Sequence, residues 1–407
     1  MTNRRAAIEV VRRLRNNGFA ALFAGGCVRD MLLGRQAHDF DVATDAKPQD
    51  VIRIFKRTLK VGAKFGVVIV LLEKQQVEVA TFRTETGYTD GRHPSKVGFA
   101  GAEEDAARRD FTINAMFYDP LGKKVIDFYD GRRDLKKKII RTVGDPYQRF
   151  SEDYLRMLRA VRFSTQLGFE IEGATRSAVC AGAGNITRIS GERIAAELEG
   201  ILVSPNRAMG AAILIETGLA EQIFSGFTGG QARFGAEAMS HLPAKVDFPL
   251  GMAALFAGFS GDFALEKCKI LKLSRNQTRH IRFLSDNRGK LLKELSLAEL
   301  RLVLAEPCFD DLYALQKAIQ KAAGLSIAPL IKLRRRISAL GDIEFRPKPL
   351  LNGHELIRLG AEPGPTVGQL VREMYIAQLE GQVQTAEQAR EWVKHWLTRH
   401  KDVDISQ

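Results

Sequence analysis

The sequence predicts an α+β head followed by an elongated, wholly helical remainder. Up to about residue 145, short β-branched apolar runs bounded by turn residues alternate with helical periodicity. After Tyr147 the strand signals fade and helical patterns run to the end. The length of 407 residues is more than one compact core usually covers, so several units are expected. We place them at 1–145, 146–220, 221–340 and 341–407.

The elements follow in order. Residues 4–17 carry Ile8, Val11 and Leu14 at helical spacing with arginines between, and Gly18 is a C-terminal stop. Strands are expected at Phe19–Ala24, Phe40–Ala43, Gly66–Leu72 and Val77–Phe82. Pro48 suits a first helical residue, which predicts a helix over Pro48–Arg57. Beyond the head, SEDYLRMLRAVRFSTQLGF, GERIAAELEGIL and PNRAMGAAILIETGL each read as helices. Gly/Pro punctuation near Arg346–Pro349 and at Gly360–Pro365 opens the last unit.

The formal charge of +13 and pI near 9.6 describe a surface that attracts polyanions, RNA or DNA first. Cys27, Cys180, Cys268 and Cys308 lie far apart without a CxxC pair, which suggests neither a zinc site nor a disulfide framework. The N-terminal MTNRRAAIEVVRRLR lacks the apolar core of a secretory signal. The longest apolar run, Gly66–Leu72, is far too short to span a bilayer. A reduced, cytoplasmic setting without membrane contact is expected, and no protein partner is implied.

Chemistry concentrates in GGCVRDMLLGRQAHDFDVAT (Gly25–Thr44). On a strand Asp39 and Asp41 share one face and Phe40 takes the other, so two carboxylates converge while the ring enters the core. Adjacent like charges call for a cation, and carboxylates are the oxygen ligands that Mg²⁺ accepts beside substrate phosphates. Gly25 and Gly26 let the backbone approach a phosphate, the following helix offers N-terminal N–H groups, and Arg29 adds a fork-shaped donor. A bare DxD is weak evidence, since most copies are surface turns or strand ends. Glu78, in QQVEVATFR, faces away from Val77 and Val79, and a neighbouring strand could bring it beside the aspartates. Two metals about 4 Å apart, held by such carboxylates, would serve an in-line phosphoryl displacement.

The stretch Gly25–Thr44 resembles motif A of the class II, bacterial-type tRNA nucleotidyltransferases, a family within the polymerase-β-like nucleotidyltransferases that also includes bacterial poly(A) polymerases. Four further motifs follow in the family's order. RRDFTINAM (Arg108–Met116) resembles motif B and GRRDL (Gly131–Leu135) motif C; EDYLRMLRAVRF (Glu152–Phe163) resembles motif D and ISGERIAAEL (Ile189–Leu198) motif E. The resemblance covers residues 20 to about 220 and returns at Gly353–Val383, which is similar to the tails of many CCA-adding enzymes. It implies a polymerase-β-like head with a small mixed sheet, followed by a helical neck, body and tail. By matching position, it implies Asp39 and Asp41 as catalytic ligands of Mg²⁺, beside which Glu78 stays the third candidate carboxylate on its strand position alone. It implies that Gly25, Gly26, Arg29, Arg109 and Asn114 bind nucleotide, and that Asp110 contacts the ribose. A carboxylate can accept from a 2′-OH that a deoxyribonucleotide lacks.

At about 100° per residue, Tyr154, Leu155, Met157, Leu158 and Val161 form one apolar face. Glu152, Arg156 and Arg159 lie opposite, with Asp153 flanking, and composition alone would read them as a solvated face laced by ion pairs. The resemblance implies instead that Asp153 and Arg156 form an amino-acid template for the incoming base, with Arg159 and Arg162 also binding nucleotide. Cytosine and adenine each present an amino donor beside a ring-nitrogen acceptor, which suits an Asp/Arg pair. Uracil and guanine present the reverse pattern and would leave both groups unpaired, at about 1–3 kcal/mol each.

The expected activity is CTP- and ATP-dependent addition of CCA to tRNA 3′ ends, without a nucleic-acid template and with release of pyrophosphate. An enzyme that adds only the terminal A, a poly(A) polymerase, and a non-catalytic RNA-binding protein are the alternatives. Three features favour CCA addition. The turn-rich segment after Arg83 is similar to the flexible loop of full CCA-adding enzymes, although His93 stands where the family often has a second arginine. KVGAKFGVVIV has Ala63 where poly(A) polymerases usually carry a basic residue. The third is the tail. Leu271–Leu295 and Lys332–Leu340 put clustered Arg and Lys on helices, an RNA grip that does not read sequence. No His/Asp cluster of the HD phosphohydrolase type is seen in the sequence, and no second activity is expected.

Overall fold

The computed structural model describes residues 1–37, 39–59, 66–88, 94–341 and 343–401, without the side chains of 85–88, 94–97, 400 and 401. The readings made on Ala63 and His93 therefore lie outside the described residues.

Helix α1 (Asn3–Asn16) starts at Thr2, whose hydroxyl accepts from the Arg5 N–H, and turns out through Gly18 at φ +83°. Its stripe of Ala6, Ala7, Val10, Val11 and Leu14 is wholly buried. At roughly 1.5–3 kcal/mol for each buried aliphatic side chain of that size, tertiary burial rather than propensity holds it.

That stripe covers one face of a seven-stranded mixed sheet in the order β3–β4–β5–β2–β1–β8–β9. The strands are β1 (Ala21–Ala24), β2 (Asp41–Thr44), β3 (Thr58–Leu59), β4 (Val67–Leu72), β5 (Gln75–Thr81), β8 (Phe117–Asp119) and β9 (Lys124–Ile126). Helices α2 (Gly26–Leu32) and α3 (Pro48–Ile54) connect the early strands. Phe23, Val42, Val68, Val70, Val77 and Val79 meet α1 on one face of the sheet, while Leu22, Ala24, Ala43 and Phe117 join a separate cluster on the other. Central strands covered on both faces read as continuous apolar runs, which is why the sequence marks them well.

Among the strand pairs not foreseen are β8 with β9 in the main sheet and two outside it. The turn-rich segment after Phe82 contains a hairpin, β6 (Arg83–Tyr88) with β7 (Pro94–Phe99), followed by the short helix α4 (Ala102–Ala107). Its Gly, Pro and charged residues hide the ladder from an apolar-pattern reading. After helix α5 (Gly131–Lys137), β10 (Ile139–Ile140) pairs in parallel with β11 (Glu170–Ile171), so strand structure continues past Tyr147.

The expected single helix over Ser151–Phe169 is also corrected. It is two helices, α6 (Pro146–Glu152) and α7 (Leu155–Leu167). The break is at Asp153, an extended residue (φ −147°, ψ 105°) whose Oδ1 accepts from the Leu155 N–H. An Asp that bonds the backbone two residues on competes with helix propagation.

Helices α9 (Gly191–Leu202) and α10 (Arg207–Glu216) pack onto α7 and α8 (Gly173–Gly182) onto α6, and their core runs without interruption into the helices that follow. These are α11 (Leu219–Ile223), α12 (Gly229–Ser240), α13 (Phe248–Leu255), α14 (Gly261–Ile270), α15 (Arg275–Asp286), α16 (Leu297–Leu304), α17 (Phe309–Ala322) and α18 (Ala328–Ala339). Helices α19 (Gly353–Arg358), α20 (Pro365–Leu379) and α21 (Ala386–Lys401) have their own core around Leu356, Leu370, Met374 and Val393. The Arg301 guanidinium joins the two by donating to the carbonyls of Leu379 and Glu344. Among the described residues no helix is long and apolar enough to cross a membrane.

Candidate active site

A cleft of about 590 Å³ opens between the sheet face opposite α1 and the start of α7. β2 and β5 run parallel with Val42 opposite Val79, so the residues one step earlier, Asp41 and Glu78, lie alongside each other on the cleft face. Strand register thus brings Glu78 beside Asp41, one of the two aspartates it was expected to meet. Asp39 is exposed just ahead of β2, with Phe40 buried behind it, and does not itself line the cleft. Its charge still reaches Asp41. Crowding by the surrounding protein, then the charges of Glu78 and Asp39, push the Asp41 carboxyl up to about 6 against the pull of Arg109. Asp41 itself opens to solvent. Among the described residues none of the three carboxylates forms an ion pair. Mutually repelling oxygen donors without a cationic partner fit a divalent cation.

The wall expected to meet phosphate is built from glycines and arginines. Gly25 has φ +75°, and a Cβ there would lie 2.9 Å from Arg109 Nη1, so both conformation and contact require glycine. Helix α2 begins at Gly26 against the cleft; the Val28 and Arg29 N–H groups donate back to the Gly25 carbonyl (3.1 and 3.3 Å), which leaves those of Gly26 and Cys27 without a partner within the helix. The Arg29 fork is held by Asp30 (2.9 and 3.0 Å) and by Asn114 Oδ1 (2.8 Å). Asn114 in turn donates to Asp110 Oδ1 at 3.1 Å and so ties that wall to the ribose candidate. Arg109 donates to the Asn114 carbonyl at 3.2 Å and lies over the Phe117 ring.

Asp110 is nearly buried and fully engaged. Oδ1 accepts from the Phe111 N–H, and Oδ2 accepts from Arg159 Nη2 at 2.6 Å and Nε at 2.9 Å. Burial alone would raise its pKa, but the Arg159 charge and the Asn114 amide hold it down at about 2.

The neck supplies the remaining wall. Asp153 projects from the α6–α7 break, and its Oδ2 accepts from Arg193 Nη2 at 2.8 Å. Arg156 is braced by Glu152 and by the Arg149 carbonyl at 3.0 Å, with a longer 3.4 Å contact to the Arg108 carbonyl. Both members of the expected base-reading pair line the cleft, as does Arg159. Arg162 does not. It points to α9, pairs with Glu197 at 2.6 Å, and lies 4.2 Å over the Phe163 ring. Its helical position, near the apolar edge, turns it into the α7–α9 seam, so its expected contact with nucleotide is replaced by a brace.

Sequence reasoning missed several cleft residues. Arg193 lay within a quoted motif, yet nothing in its spacing tied it to Asp153, 40 residues earlier. Phe163, which carries Arg29 and Arg159 at 5.2 and 5.3 Å from its ring centre, ended a quoted motif without a role of its own. A separate group outside the cleft joins α13, α15 and α17. There His280 lies between Asp247 and Asp311, with one carboxylate at each ring nitrogen (3.5 and 3.1 Å). This single-histidine group is not the HD-type cluster considered in the sequence, and it was not foreseen because three distant helices bring it together.

Two family models match the chain: "Poly A polymerase head domain" over residues 21–141 and "Probable RNA and SrmB- binding site of polymerase A" over residues 168–229. A CCA-adding enzyme of Streptococcus gordonii is 34% identical over 383 residues, covering 92% of this chain and 93% of that protein. A CCA-adding enzyme of Lactobacillus johnsonii is 36% identical, covering 94% and 95%. Among solved structures, the Bacillus stearothermophilus CCA-adding enzyme in complex with CTP superposes with a TM-score of 0.80 at 31% identity, covering 97% of this chain and 98% of that one. A Thermotoga maritima CCA-adding enzyme complexed with tRNA shares the fold, with a TM-score of 0.68 at 23% identity.

Proposed function

Because the chain belongs to the CCA-adding enzyme family, we propose that this cleft builds CCA on the 3′ end of tRNA from CTP and ATP, without a nucleic-acid template. The observation that carries the reading is the meeting, in one cleft, of unpaired carboxylates (Asp41, Glu78) with an Asp/Arg pair (Asp153, Arg156). The tRNA 3′-hydroxyl attacks the α-phosphorus. A new O–P bond forms, the bond to the β-phosphate bridging oxygen breaks, and pyrophosphate leaves. Asp39, Asp41 and Glu78 would hold the divalent cation, Mg²⁺ in our reading, which when bound supplies Lewis-acid neutralisation of the phosphoryl charge.

The chain's own groups do the rest. Arg29, Arg109 and the start of α2 bind the triphosphate. A ribose 2′-hydroxyl donates to Asp110 Oδ2, sharing it with Arg159. Asp153 accepts from the amino group of C or A, and Arg156 donates to the ring nitrogen, exchanging its long contact with the Arg108 carbonyl. Each member of that base-reading pair is held by a partner: Asp153 by Arg193, which itself lines the cleft, and Arg156 by Glu152. The basic helices α15 and α18 grip tRNA phosphates, and α19–α21 extend that grip. We propose the functional units as head 1–145, neck 146–220, body 221–340 and tail 341–407, working in the cytoplasm.

Exchange of Asp39 or Asp41 for Ala tests the assignment. Incorporation of C and A is expected to fall by on the order of 10³-fold while tRNA binding, measured by filter retention, stays near wild type. Turnover near the wild-type rate in Asp41→Ala would remove this carboxylate from the chemistry.

A further inference from the structure

A buried carboxylate behind the cleft has no role in the reaction as derived above. Asp105, on α4, is 1% exposed, yet its two oxygens receive five N–H donors. Oδ1 accepts from Arg108 Nη2 at 2.7 Å and Nε at 2.9 Å, and from the Arg83 backbone N–H at 3.3 Å. Oδ2 accepts from Arg109 Nη2 at 3.0 Å and Nε at 3.2 Å. Arg83, Arg108 and Arg109 all line the cleft, whereas Asp105 does not.

The geometry has a directional consequence. A guanidinium is planar and offers its donors along fixed edges. Asp105 takes the Nε/Nη2 edge of Arg109, the Asn114 carbonyl takes a donor of Nη1, the Phe117 ring covers a face, and Gly25 approaches Nη1. The outer Nη1/Nη2 edge is left to meet a ligand in the cleft. A free arginine would have to give up several rotamers to present that edge; here they are given up on folding. The same carboxylate holds the N–H of Arg83, the first residue of β6, so the root of the β6–β7 hairpin is fixed to the same point.

We propose that Asp105 is a positioning residue for the nucleotide triphosphate: it aims Arg109, with Arg108, into the cleft and ties the hairpin root to them. The proposal rests on the nucleotidyltransferase reading for the identity of the ligand. Asp105 touches no substrate and acts through the arginines.

The test uses the full-length enzyme and two ligands, CTP and inorganic tripolyphosphate, the second lacking base and ribose. Binding is measured by calorimetry, independently of incorporation, so failure of the positioning claim is separable from failure of the enzymatic reading. Asp105→Asn, which removes the charge and leaves a near-isosteric amide, is expected to weaken both ligands by about tenfold and raise the nucleotide KM similarly, with a smaller change in kcat. The preference for C and A over U and G should not change. Combined with Arg109→Ala, Asp105→Asn should add little further loss, because the two act through one contact. Asp105→Glu, which keeps the charge but moves it by one methylene, should be intermediate and serves if the Asn variant folds poorly, as read by thermal melting. Tripolyphosphate affinity unchanged in a folded variant, or full additivity with Arg109→Ala, would overturn the proposal.

Discussion

Single side chains decide what this cleft can do, and several are spoken for before any substrate enters. Asp110 is the clearest. Its carboxyl is held at about 2 against an ordinary value near 3.8, which makes folding and proton binding compete. As pH falls, the unfolded chain takes the proton first. The stabilisation from the Asp110–Arg159 pair is therefore fully present above about pH 4 and disappears as pH falls through 2, a loss of about 2 kcal/mol. Denaturant titrations of wild type and Asp110→Asn should show a stability difference that shrinks across that window; a difference independent of pH would contradict it. A second expectation concerns base choice. Exchanging Asp153 or Arg156 for Ala should let UTP and GTP compete, eroding discrimination by about tenfold, because the cost of leaving that group unpaired disappears. Selectivity read by competition between labelled nucleotides checks this. The residue types were legible in the sequence because the motifs name them. Their partners were not: Arg193 reaches Asp153, and Glu197 captures Arg162, across 40 and 35 residues. Spacing along a chain carries no record of such pairs.

Helices and strands place those side chains, and the sequence revealed them unevenly. Where both faces of a strand are covered, as in β1 and β2, apolar runs announced them to within two residues. Where a polar residue breaks a helix for a purpose, periodicity misled. Leu155, Met157, Leu158 and Val161 do share a buried face, but Asp153 lies outside the helix that carries them and turns its carboxylate to the cleft. The helix α9 shows how closely such elements must meet. It starts at Gly191, where a Cβ would lie 1.9 Å from the Ile270 carbonyl at the end of α14. Gly191→Ala should push the start of α9 away from α14, costing about 1–3 kcal/mol or more of stability. Because Arg193 sits in the same turn, it should also loosen the hold on Asp153 and weaken base discrimination. Chemical denaturation together with the competition assay reads both; an unchanged midpoint would mean the contact relaxes freely.

At the scale of the whole molecule, the proposed chemistry and the proposed substrate grip draw on different elements. The charge of +13 is matched to a polyanion, and exposed Lys332 and Arg335 on α18 carry part of it far from Asp41. In the proposal, the head's sheet makes a place where phosphate and carboxylate meet, and the neck adds the groups that tell one base from another. Motif order disclosed this plan, because five short matches in sequence constrain a fold more than composition does. The continuity of the core from sheet through α18, and the separate core of α19–α21, could be seen only in the packing.

The central claim is that one cleft adds C, C and A to tRNA and then stops. Three tRNA transcripts, lacking three, one or none of the terminal nucleotides, are each incubated with CTP, ATP, UTP or GTP, singly and together, and the products are sequenced. The account predicts CCA on the first with CTP and ATP, a single A on the second, and no growth on the third. Growth only on the transcript lacking one nucleotide, or long A tails regardless of the end supplied, would contradict it.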